Sequence, residues 1–178
     1  KFVRPLDPKI IEDQNQRKAA KALAASELVR ESAALTARVS SYRAELGEND
    51  VGSRPIPNRT NAITDHELIT AVQSLRPRFS TDTHAFNHTV QHVNELPAAE
   101  RGSDGGVRAY LDSAQKTIEN YTDCDITMDK DGVTKKLIFR RKVQSDALSQ
   151  KEYEMKAVVY VRTDGTTTLA TYGASDKN

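Results

Sequence analysis

All four histidines of the chain lie between His66 and His92, and three of them, His84, His88 and His92, recur at every fourth position. On a helix that spacing makes one stripe, an arc of roughly 80° at about 100° per residue. Phe86, Val90 and Val93 fall on the other side. Imidazoles four residues apart on a helix can hold Zn²⁺ or a similar ion, and His66 or Asp65 is the candidate to complete such a site. The candidate metal ligands are therefore His84, His88 and His92. There is no HExxH, so the glutamate base of a metalloprotease is missing. The competing expectation, which the sequence favours, is a polar stripe facing solvent or a partner, with a pH-responsive contact as a variant because imidazoles titrate near neutrality. No cofactor is called for.

Two further clusters have the residue types of a site. Asp123, Asp125, Asp129 and Asp131 resemble calcium ligands, and Asp129-Lys130-Asp131-Gly132 opens like an EF-hand loop. The closing glutamate is absent and a strand pattern begins at Val133, so a hairpin turn is predicted there. Lys135, Lys136, Arg140, Arg141 and Lys142 form a basic run around Leu137-Ile138-Phe139 that could meet a phosphate backbone. The same run serves equally as the solvated face or guarded edge of a sheet, paired with Glu152 and Glu154 on the next strand, and nucleic acid is not the expected partner. Gly102 to Gly106 could offer backbone amides to an anion, although glycine at a loop-to-helix join explains them as well. No GxGxxG, GxxxxGK[ST] or GxSxG is present, and the single Cys124 has no histidine near it in sequence. This inventory predicts a protein that is not an enzyme.

Composition narrows the classes further. With 178 residues, 37% hydrophobic, no Trp and a net charge of +1, the chain suits one core plus an extension. It lacks the strong field of a dedicated nucleic-acid binder. A lone cysteine leaves the redox compartment open. No apolar run reaches the roughly 18 residues of a membrane span, which predicts a soluble chain, with a virion or an extracytoplasmic space both compatible.

The elements that must position these residues follow from period and punctuation. Asp7-Pro8 is an N-cap followed by a first-turn proline, and no Pro or Gly intervenes before Gly47, which predicts one long amphipathic helix ending near Leu46. Ala25, Leu28, Ser32, Leu35, Val39, Tyr42 and Leu46 repeat at 3-4 spacing, a heptad seam flanked by Glu31, Arg38 and Glu45. Lys18 and Lys21 interrupt its continuation toward the N-terminus. This face is the candidate interface, set against the alternative that it packs on the chain's own domain. Residues 47–62 read as a linker or clamp whose Arg54-Pro55-Ile56-Pro57 favours an extended path along a neighbour's surface.

Short helices are predicted from Thr64, a capping-box residue, to Arg76, from Thr81 to Leu96, and from Gly106 to Tyr121. From Cys124 the period becomes two, and four strands with turns at Asp129–Gly132, Ser145–Ser149 and Thr163–Gly165 predict an antiparallel meander. The fold class is α+β, with an N-terminal arm and helix (1–46), a linker (47–62) and an α+β domain (63–178). A helix followed by a four-stranded meander resembles the order of elements in cystatin-like and NTF2-like folds, where a curved sheet wraps the helix. That resemblance implies architecture only, since such folds host many functions.

The expected role is a structural or assembly subunit of a larger complex, a virion component or part of a secretion-type machine. The N-terminal helix and linker would make contacts to protein partners in a homo- or hetero-oligomer. Two alternatives stand beside it. One is an accessory binding domain, membrane-tethered or extracytoplasmic, whose anchor preceded Lys1. The other is a metal-dependent enzyme built on the histidine stripe.

Overall fold

The computed structural model describes residues 7–46, 50–56, 63–102, 106–145 and 151–175, without the side chains of Leu35, Val39 and Arg54. The fold is α+β. Helix α1 runs Pro8–Glu45, α2 Asp65–Gln73, α3 Asp82–His92 and α4 Val107–Glu119, with 3-10 turns at Val93–Glu95 and Ala98–Glu100. Strands are β1 Arg54–Pro55, β2 Asp123–Met128, β3 Lys135–Gln144, β4 Glu152–Val161 and β5 Thr166–Ala174. They form one antiparallel sheet in the order β1-β5-β4-β3-β2. The chain divides into two compact units, Lys1–Ser40 and Ser41–Asn178, so the last turn of α1 belongs with the sheet. No described helix is long and apolar enough to cross a membrane.

Two short helices begin on side-chain caps, at Thr64 as the capping box predicts and at Thr81, where the sequence predicts a helix start. Thr64 accepts from the Glu67 amide at 3.2 Å and Thr81 from the His84 amide at 3.2 Å, each satisfying one of the unpaired donors of a helix start. In the turn before β3, Asp131 accepts from the Val133 and Thr134 amides and Gly132 takes φ of 72°. The strand starts at Lys135, so Val133, expected on its buried face, is 55% exposed in the turn.

The core lies between α4 and the inner sheet face. Tyr110, Leu111, Ala114 and Ile118 meet Leu137, Phe139, Met155, Ala157 and Val159, all buried, with Tyr172 completing the layer from β5. Period two alone would send Leu169 and Tyr172 to opposite faces. A bulge resolves this: Val158 pairs with Thr171 while Val159 pairs with Leu169, so β5 carries an extra residue and both side chains turn inward.

One part of the predicted linker is a strand. Arg54 and Pro55 pair with Thr167 and Thr166, the Ile56 amide donates to Gly165 O at 2.9 Å, and Ile56 is 6% exposed. Gly52 N donates to Phe79 O at 2.8 Å. The Arg-Pro-Ile segment thus lies along the edge of its own sheet, where a proline is tolerated because its missing N–H faces outward. The remainder of the predicted linker, at 47–49 and 57–62, lies outside the described residues.

Candidate functional site

Three groupings of polar and exposed side chains stand out: the histidine stripe, a buried Arg141–Glu100 network, and α1 with its root.

The spacing of His84, His88 and His92 does give one stripe on α3, but the rings stack rather than converge. His84 and His88 are edge to face at 5.9 Å, His88 and His92 are stacked at 6.0 Å, and His88 lies 4.9 Å from Phe79 with only 17° between the rings. Among the described residues no three His, Cys, Asp or Glu side chains form a group that could hold a metal ion, and neither His66 nor Asp65 joins the stripe. The stripe is also not wholly outside the core, as the helical wheel suggested. His84 is exposed, yet His88 and His92 are half-buried. The His92 ring packs over Gly173, where a Cβ would stand 2.8 Å from Nδ1, and Nδ1 is 2.6 Å from a Glu95 carboxylate oxygen. His88 Nδ1 is buried without a hydrogen-bond partner. Burial, followed by the neighbouring His92 and His84, holds the His88 pKa below its ordinary value of 6.5. Protonation would create a buried donor with no acceptor, a defect of about 1–3 kcal/mol.

Helix α4 and the turn Ala98–Glu100 are locked to the sheet by Arg141, a member of the basic run suggested for nucleic acid. Arg141, 9% exposed, makes two bonds to Glu100, at 2.5 and 3.0 Å, and donates through Nε to Thr117 Oγ1 at 3.0 Å. Ser113 donates to Glu100 at 2.8 Å and meets the Tyr172 hydroxyl at 2.6 Å, which also contacts Thr117 at 3.0 Å. The Tyr110 hydroxyl donates to the Tyr172 carbonyl. A clustered basic run signals a phosphate surface only if its members share a face, and strand alternation splits this one. Lys136, Arg140 and Lys142 point away from Lys135 and Arg141, and Arg140 is taken by Asp125 at 2.6 Å, Asp123 at 3.2 Å and Glu154 at 3.7 Å. Cys124 stands beside those aspartates. Burial, then the charges of Asp125 and Asp123, push its thiol up to about 12, a poor nucleophile at neutral pH.

Helix α1 divides in character along its length. Ala25, Leu28 and Ser32 of the seam are exposed, Leu28 at 65%. The side chains of Leu35 and Val39 are not among those described. Tyr42, in contrast, is 4% exposed, its ring 6.1 Å from Phe86 of α3, and Leu46 is half-buried. Arg43 lies over the Phe86 ring at 5.8 Å and pairs with Asp82 at 3.8 Å.

The end of α1 and the start of α4 cap each other. Gly106, the N-cap of α4, has no side chain to offer, and the Glu45 carboxylate instead accepts the Arg108 amide at 3.0 Å. Arg108 in turn donates through its guanidinium to the Glu45 carbonyl at 2.5 Å and pairs with Asp50 at 3.7 Å. The favoured partners are those of opposed helix ends, an anion at the N-terminus and a cation at the C-terminus. The glycine-rich approach to α4, read as a possible anion cradle, thus meets an anion of the chain's own at Gly106; its stretch 103–105 lies outside the described residues. A Cβ at Gly106 would collide with the Glu45 carboxylate. Gly106→Ala is expected to displace that carboxylate and cost about 1 kcal/mol, the usual value of a lost cap, with Glu45→Ala giving a similar loss and the double variant little more. Chemical denaturation of the three variants beside the parent measures this.

None of the three groupings joins a nucleophile to a base and an electrophilic cradle. No protein-family model, curated protein or solved structure matches this chain.

Proposed function

We propose that this protein is a non-enzymatic assembly subunit of a larger complex, such as a virion or a secretion-type machine, and that α1 makes its subunit contact. One observation carries the reading. Ile10, Ile11, Leu23, Leu28 and Val29 of α1 are exposed by 48%, 43%, 60%, 65% and 70%, in a unit whose described part is a single helix. At about 100° per residue, Ile10 and Leu28 fall on the side of the heptad seam, and a lone helix draws most of its stability from burying such a face against something else. At about 1.5 Å per residue, the 38 residues of α1 offer a rod of roughly 57 Å for that purpose. The root supports the same reading, because Tyr42 and Glu45 make their contacts on the α+β unit while Ala25, Leu28 and Ser32 of the seam stay exposed.

Sedimentation velocity, with light scattering, of the parent, of Leu28→Asp and of a chain beginning at Ser41 tests the proposal. The parent is expected to associate, and both altered chains are expected to run as single chains. An Asp at position 28 would put a carboxylate into the contact, costing several kcal/mol of association while leaving the melting of the α+β unit unchanged. A parent that remains a single chain at high concentration and captures no protein partner would refute the reading. So would undiminished association of Leu28→Asp together with a lowered Tm.

A further inference from the structure

Helix α3 has two occupied sides. Phe86 and Asp82 hold Tyr42 and Arg43 at the root of α1, while His84, His88 and His92 form a stack closed by Phe79. The groups around that stack come from five directions. The segment before α3 supplies Phe79 and Ser80, whose Oγ is 3.5 Å from His84 Nδ1. The turn after α3 supplies Glu95, bonded to His92, and β5 supplies Gly173, against which the His92 ring rests. From α4, Tyr110 stacks on Phe79 at 6.3 Å, and from α1, Arg43 pairs with Asp82 at the other end of the helix. Among the described residues, the carboxylate bonded to the stack is that of Glu95, and it is engaged by His92. Nothing accepts from the buried Nδ1 of His88.

We propose that the histidine stack is an acid-sensitive latch: with His88 neutral it closes α3 on Phe79, and a proton on His88 loosens α3 and its grip on the root of α1. The neutral ring lies flat on Phe79 as an aromatic partner, and an unpartnered ring nitrogen costs less to bury neutral than charged. Acid makes the ring a cation whose Nδ1–H finds no acceptor, and sets that charge between the His84 and His92 rings. The face of Phe79 attracts a cation. Burial and the two neighbouring rings outweigh that attraction, which is why the His88 pKa lies below 6.5. A histidine depressed in the folded state contributes stability that is present above its unfolded pKa and is lost as pH falls through the folded one. The latch is therefore closed at neutral pH and opens on acidification. It goes beyond the assembly reading, because it concerns how α3 holds Tyr42 and stands whether or not α1 meets a partner.

The test follows the imidazole and backbone resonances of the full chain by NMR from about pH 7.5 to about pH 5, with amide exchange corrected for its intrinsic pH dependence. The parent is expected to lose protection in α3 and in the last turn of α1 on acidification. His88→Phe keeps a ring on Phe79 without a titrating nitrogen, and it is expected to retain that protection. Equal loss in the variant, or no loss in the parent, overturns the latch. Should His88→Phe fail to fold, the parent still decides. A His88 resonance that titrates at or above its ordinary value rules the latch out, and one that titrates below it, together with the loss of α3 protection, supports it.

Discussion

Replacing Glu100 with Ala is expected to destabilise the α+β unit by about 3–5 kcal/mol, among the larger losses a single substitution produces. The substitution removes little volume. It takes both bonds to Glu100 from the Arg141 guanidinium, whose side chain is 11% exposed, and leaves a buried cation with the neutral Thr117 hydroxyl as acceptor and no carboxylate. Ser113 loses its acceptor at the same time and retains the Tyr172 hydroxyl. A fall in Tm on the order of 10 °C follows for a unit of this size. Replacing both partners, Arg141→Met with Glu100→Leu, is expected to recover most of the loss, because no charge is then left buried alone. A double-mutant cycle in urea measures the coupling. The network also makes an acid limb. Burial raises the Glu100 carboxyl, but bonds from Arg141 and Ser113 and the charge of Arg141 outweigh it, so its pKa lies below the ordinary 4.5. A carboxylate depressed on folding stabilises above its unfolded pKa, and that contribution is lost as pH falls through the folded value. Glu100→Ala should therefore flatten the pH dependence of Tm below about pH 4.5 relative to the parent.

Tyr42→Ala is expected to cost about 3 kcal/mol in the same unit, in contrast to Leu28→Asp, which should leave it untouched. Both residues sit on one heptad face and are equivalent in the sequence. Tyr42 is 4% exposed against Phe86, whereas Leu28 is 65% exposed. Truncation at 42 opens a cavity beside Phe86, removes the aromatic contact, and weakens the seat of Arg43 over the same ring. Thermal unfolding followed by circular dichroism measures it. An unchanged Tm for Tyr42→Ala would mean that the last turn of α1 is not held by α3.

Much of the fold was legible because it depends on local rules. Thr64 announced a helix start through its capping chemistry, Asp129–Gly132 a turn through its residue types, and the inward Leu137, Phe139, Met155, Ala157 and Val159 of β3 and β4 followed from simple alternation. Departures came where a distant residue changed the local outcome. Arg54 to Ile56 reads as linker, since two residues carry no strand period, yet the open edge of β5 recruits them as β1. Strand alternation sends Arg140 and Arg141 to opposite faces, and which acidic partner each one finds depends on β2, β4 and the turn at Glu100, all remote in sequence.

By itself, the sequence determined the four α-helices, the four strands of the meander and their order, the single stripe of histidines and the heptad repeat of α1, because helix and strand periods are properties of a short stretch of chain. Only the tertiary structure decided how those patterns are used. It placed His88 on Phe79, closed Arg141 on Glu100, and set the Glu45 carboxylate at the start of α4. It also divided one continuous seam, seating Tyr42 on α3 and leaving Ala25, Leu28 and Ser32 exposed. The physical reason is common to all four. A side chain's chemistry is set by what lies within a few ångströms of it, and in each case that neighbour comes from outside its own turn or strand.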